Sequence, residues 1–255
     1  MEQGAKRIWQ MDALRGLALL NMLVYHGMYD WVYVFGHPSR WYDIGSAGCH
    51  VWQQYICWSF ILLSGASFCL GRRQLKNGLL TAGCALILTA VTALVMPSEL
   101  ILFGVLHFNA CAVLLTCLLR PVLEKIPAGA GLAASAVLFA VLNQLPWGYL
   151  GFEELHLAAA VPQTLYRANL FWLGLPDLTR FASADYFPIL PWLFLFWCGY
   201  FGWRWLTGLG RVPAAAKPPA ALRPLCAVGS RTLLVYMLHQ PAIYGVLLAV
   251  DGLTM

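Results

Sequence analysis

Arg15 and His26 stand eleven residues apart in one apolar run that continues to His37, a further eleven along. In a helix that step is about three turns, roughly 16 Å of rise, and returns both side chains to nearly one face. Ionisable groups inside a membrane segment are costly and mark a functional path. Arginine can hold an anion, and histidine can take a proton from an attacking amine or hydroxyl. Ordinary structural roles stand beside these. Asp12 lies three residues before Arg15 and can form a local ion pair. A buried histidine can simply bond a neighbouring helix. His37, in FGHPSRWYD, sits where Gly36 and Pro38 end the helix, and loop histidines are common. Asp30 and Asp43 are the carboxylates near enough in sequence to hold its ring in one tautomer.

Two more apolar runs each carry a histidine. His107 lies in FGVLHFNACAVLL with Asn109 two residues on, and His239 lies in LLVYMLHQPAIYG with Gln240 beside it. Pro241 predicts a kink there, because it cannot donate to the preceding turn. Histidines on three spans predict a polar chamber holding His26, Asp30, His107, Asn109, His239 and Gln240. His50 and His156 lie at span edges and carry less. The eight cysteines form no CxxC pair and sit mostly in apolar runs, so they read as small buried hydrophobes and no metal site is expected.

These residues need elements to position them. The chain is 60% hydrophobic and 11% charged, with a mean hydropathy of +0.68. Soluble domains carry about 25% charged residues. The expectation is an all-α polytopic membrane protein, one bundle and one domain over residues 1–255. Candidate spans fall at 12–35, 49–70, 79–96, 100–119, 129–145, 186–206 and 225–250, about seven in all. The first reads as a retained span, not a cleaved leader. Twelve basic residues then fall on one side, Lys6 through Arg231, against Arg40, Arg167 and Arg180 on the other. That asymmetry places the N-terminus inside and the C-terminus outside. The net charge of +5 therefore speaks for a cytoplasmic membrane face and not for nucleic acid. A long outer connection, 146–185, is too apolar for a free loop and is expected to lie on the membrane or dip into the bundle. Residues 207–224, rich in Pro, Gly and Ala, read as a flexible inner linker. No internal repeat is visible, so an inverted-repeat transporter gains no support.

DALRGLALLNMLVYH resembles the first span of the transmembrane acyltransferase superfamily, with its arginine, ten residues, then histidine. FILLSGASFCLGRR, GVLHFNACAVLL, DYFPILPWLFLFWCGYFG and LLVYMLHQPAIY follow in order and resemble the bacterial branch of the heparan-alpha-glucosaminide N-acetyltransferase family. The resemblance covers about residues 8–248 and is poorest in the outer connection. It implies transfer of an acetyl or other acyl group from cytosolic acetyl-CoA to an amino or hydroxyl group of a sugar or glycolipid acceptor at the outer face. The lysosomal relative's catalytic histidine corresponds to His37 in HPSRW, with Arg40 inserted before Trp41. The superfamily signature favours His26, where the lysosomal relative has Asn. Its Gln-Arg pair in span four is His107 and Phe108 here. The implied reaction gives Arg72, Arg73 and Lys76 the phosphates of CoA with Arg15 at the channel mouth, Asn109 or Gln240 the developing oxyanion, and histidine the role of general base or transient acyl carrier. A bacterial inner membrane and a homodimer are implied as well. The alternative is a proton-linked carrier or binding protein for a small polar solute or lipid, using the same histidines.

Overall fold

The computed structural model describes residues 8–153, 155–212 and 217–254. The chain forms two compact units, Met1–Leu63 with Pro213–Met255, and Ser64–Val212. Both are helical. The only sheet among the described residues is a two-stranded hairpin in the second unit.

The first unit is built on α1 (Trp9–Tyr29), the larger part of α2 (Ala47–Phe68), α7 (Arg223–Gly229) and α8 (Thr232–Thr254). Its core is Leu19, Met22, Tyr25, Tyr42, Cys49 and Ile56. The Tyr25 ring meets those of Tyr42 and Trp52 edge-on at 5.5 and 5.3 Å, the geometry aromatic quadrupoles favour. α1 and α7 meet backbone to backbone. A Cβ on Gly16 would collide with the Leu225 carbonyl, and one on Gly229 with the Asp12 carbonyl. Small residues permit that approach.

The second unit pairs α3 (Gln74–Val95) with α4 (Val105–Leu123), and α5 (Ala128–Leu142) with α6 (Ile189–Gly208). Trp197 donates to the Thr116 hydroxyl at 3.0 Å, joining α6 to α4. Arg204 donates to the carbonyls of Leu123 at 2.8 Å and Glu124 at 3.1 Å, which the end of α4 leaves without helical partners.

A helix overlaps each expected span, and four helical stretches are long and apolar enough to cross a membrane: Gln74–Val95, Val105–Leu123, Ala128–Trp147 and Thr232–Leu253. Several stretches differ from expectation. Residues 100–104 are not helical. They run beside 183–187, with Ala184 N–H donating to Leu100 and Phe187 N–H to Phe103, both at 2.9 Å. The Asp185 carboxylate then accepts from the Val105 N–H at 2.9 Å and caps α4. The stretch 225–250 is broken after Gly229, where the Ser230 and Thr232 hydroxyls bond the carbonyls of Ala227 and Gly229 at 2.7 Å. Such local bonds compete with the helix. The outer connection folds as β1 (Tyr149–Phe152) antiparallel to β2 (Leu155–Ala160), then a short 3-10 turn at Gln163–Ala168. The Tyr166 hydroxyl ties it to the Leu145 carbonyl at 2.6 Å. Of the expected linker 207–224, residues 213–216 lie outside the described residues, α6 runs to Gly208, and α7 starts at Arg223.

Candidate functional site

In the first unit, α1 passes into a π-helical turn, Asp30–Val34, where the Phe35 N–H reaches back to the Asp30 carbonyl at 2.9 Å. Such wide turns recur at functional sites. Gly36 then takes a left-handed φ of 75°, which turns the chain out of the helix and presents His37. The His37 ring stacks on Trp31, centroids 3.8 Å apart and planes 19° from parallel. Its Nε2 lies 2.9 Å from Asp251 Oδ1, near the end of α8, with the two side chains 30% and 17% exposed. The carboxylate facing His37 is thus neither Asp30 nor Asp43.

Asp30 is buried, and the Gln240 amide donates to both its oxygens, at 2.9 and 3.0 Å. Asp43 Oδ1 accepts from the Gly45 N–H at 2.9 Å. One turn before Asp30, the rings of His26 and His239 lie 5.0 Å apart. His239 Nδ1 contacts the Tyr236 carbonyl, so it carries the proton and leaves Nε2 with a lone pair. Three polar contacts therefore join α1 and its extension to α8: His26 with His239, Asp30 with Gln240, and His37 with Asp251.

Beside them is an open groove of about 700 Å³. Val24, Gly27, Met28 and Trp31 line it at the 3–4–7 spacing of one helix face, with Leu247 opposite and Pro38 to Trp41 along its edge. Arg40 is exposed there. Burial pushes the Tyr42 phenol up from its ordinary value, which keeps it neutral beside this loop.

The other expected residues divide between the two units. Arg15, in the first unit, is ion-paired with Asp12 at 3.0 Å. Arg72, Arg73 and Lys76 are exposed in the second unit, Arg73 preceding the first residue of α3. His107 and Asn109 also belong to that unit. Thr89 gives its single hydroxyl proton to the Ile101 carbonyl at 2.7 Å, so His107 Nε2, 3.0 Å away, must donate to Thr89. His107 Nδ1 is buried with no hydrogen-bond partner among the described residues. Asn109 accepts from the Ser64 hydroxyl. Sequence reasoning missed Asp251 and the Trp31 stack. The signal available was a lone carboxylate in the last turn of an apolar helix, where the helix dipole disfavours it.

An imidazole bonded to a carboxylate at the edge of a groove can accept and return a proton. The family described as Heparan-alpha-glucosaminide N-acetyltransferase, catalytic, matches residues 7–241. The chain belongs to that family, and its class is transmembrane acyltransferase. Comparison with curated proteins and with solved structures finds no match.

Proposed function

We propose that this protein moves an acetyl or other acyl group from cytosolic acetyl-CoA to an amino or hydroxyl group of a sugar-type acceptor at the outer face of a bacterial inner membrane. His37 is the general base, and His26 is the second candidate. In this reading the chain is one domain of seven spans, N-terminus in and C-terminus out, and works in a bilayer, as a homodimer if it resembles the lysosomal relative in this too. Residues 146–185 form the outer connection and 207–224 the inner linker.

The observation that carries the assignment is the setting of His37. Its ring is partly exposed, stacked on a tryptophan that lines the groove, and paired with a carboxylate. His26 instead faces His239 within the helix seam. Trp31 and Trp41 offer flat apolar surfaces of the kind sugar rings pack on. Arg72, Arg73 and Lys76 are exposed cations of the second unit suited to the phosphates of CoA, and in the first unit Arg15, paired with Asp12, is the other candidate. In the first unit His239, Asp30 and Gln240 form the polar seam between α1 and α8, with the Gln240 amide held by Asp30. The acceptor's lone pair attacks the thioester carbonyl as His37 takes its proton. The tetrahedral intermediate collapses, and the departing thiolate recovers that proton as CoA thiol.

The test uses purified protein in nanodiscs with radiolabelled acetyl-CoA and glucosamine as probe acceptor. His37→Ala is expected to lower transfer by about a hundredfold or more. His26→Ala should retain more activity than that. Full transfer by His37→Ala sinks the assignment. Acetyl-CoA should also raise the melting temperature, as a ligand of the native state does. No shift with any acyl-CoA, together with solute uptake into vesicles, selects the carrier reading instead.

A further inference from the structure

We infer that Asp251 is the positioning residue of His37, fixing Nε2 as the protonated nitrogen and Nδ1 as the one that accepts the acceptor's proton. The inference rests on the acyltransferase reading. Its ground is geometric. Asp251 Oδ1 lies 2.9 Å from His37 Nε2, and an ionised carboxylate only accepts, so Nε2 must carry the hydrogen. A neutral ring then has its lone pair on Nδ1. The Trp31 stack, 3.8 Å away, restrains the plane in which that lone pair points. Two restraints on one ring, bond and stack, leave it one useful orientation.

The placement of Asp251 argues against a role in the helix itself. It sits in the last turn of α8, where the helix dipole penalises a negative charge. It also lies beyond residue 241, where the family match ends. The nearer acids are committed elsewhere, Asp30 to Gln240 and Asp43 to the Gly45 N–H.

In the reaction the acceptor N–H or O–H proton passes to Nδ1 while the acceptor's electron pair forms the bond to the acyl carbon. The imidazolium faces the Asp251 carboxylate, which stays ionised throughout. The C–S bond breaks, and the thiolate takes the proton back from Nδ1. The products are an amide or ester and CoA thiol, with His37 and Asp251 returned to their starting states.

Asp251→Asn is expected to lower kcat about a hundredfold or more, with the KM for acetyl-CoA changed less than about threefold, because the amide can hold the wrong tautomer. Asp251→Glu should restore activity to within about tenfold of the parent. Nitrogen NMR of protein labelled at histidine gives a readout independent of turnover. His37 should carry its proton on Nε2 in the parent and lose that preference in Asp251→Asn. Full kcat in Asp251→Asn, or a parent spectrum with the proton on Nδ1, overturns the proposal. If the parent transfers no acetyl group to any acceptor, the acyltransferase reading fails, and the NMR result alone decides the role of Asp251.

Discussion

At the scale of single residues, the clearest electrostatic consequence lies at Asp185. Burial outweighs the Val105 N–H bond and pushes this carboxyl up to about 6. The folded state therefore holds the proton more tightly than the unfolded chain does. Stability from this group is full below about pH 4, falls between about pH 4 and 6, and is absent above. Melting temperatures measured in detergent across that window should decline with rising pH, and Asp185→Asn should flatten this part of the profile. Thr89 offers a second residue-level test. Thr89→Val leaves the His107 Nε2–H buried without its acceptor, a cost of about 1–3 kcal/mol, whereas Thr89→Ser keeps the bond. Thermal scans of the two variants separate them. The sequence made the histidines visible because ionisable groups stand out in apolar runs. It did not reveal their partners. Arg15 pairs with Asp12 through a spacing legible beforehand, but His37 meets Asp251 across more than two hundred residues. A contact of that range depends on which helices pack together, and local pattern does not encode this.

At the scale of elements, helices announced themselves by apolar length, and their ends did not. α4 starts later than its hydropathy suggests because residues 100–104 pair with 183–187 and Asp185 supplies the cap. The break between α7 and α8 falls where Ser230 and Thr232 bond nearby carbonyls, a competition that hydropathy averages away. The hairpin β1–β2 follows a poorly patterned apolar stretch, and its strands are set by their pairing. The α1–α7 contact makes a sharp prediction. Gly229→Leu places a branched side chain against the Asp12 carbonyl. Overpacking of this kind costs about 1–3 kcal/mol or more, and the variant should melt several degrees lower and lose transfer activity. An unaltered melting curve would show that the two backbones are not this close.

At the scale of the whole molecule, composition alone was enough for a helical membrane protein, and the basic residues give the proposed orientation. In a cysteine-free background, Arg40→Cys should react with an impermeant maleimide added outside intact cells. Arg72→Cys should react only after the membrane is opened. The reverse pattern would turn the topology over and with it the direction of transfer. Arg204 was counted toward that orientation, yet the structure gives its guanidinium the end of α4 to hold. Charge counts cannot separate an arginine that orients a chain from one that closes a helix. The exposed apolar faces of α3 and α8 are what a bilayer would cover, with Leu94 and Leu253 more than four-fifths exposed.

Helix α8 carries His239, Gln240 and Asp251 on one continuous helix through Pro241, so the contacts to α1 are held in phase with one another. One alanine inserted between residues 242 and 250 would leave His239 and Gln240 where they are and swing Asp251 about 100° around the axis. Four inserted residues would bring it back to within about 40° of its bearing but displace it by about 6 Å. The spacing from Gln240 to Asp251 thus acts as a vernier, and the length of this helix segment is as much a part of the site as the side chains at its ends.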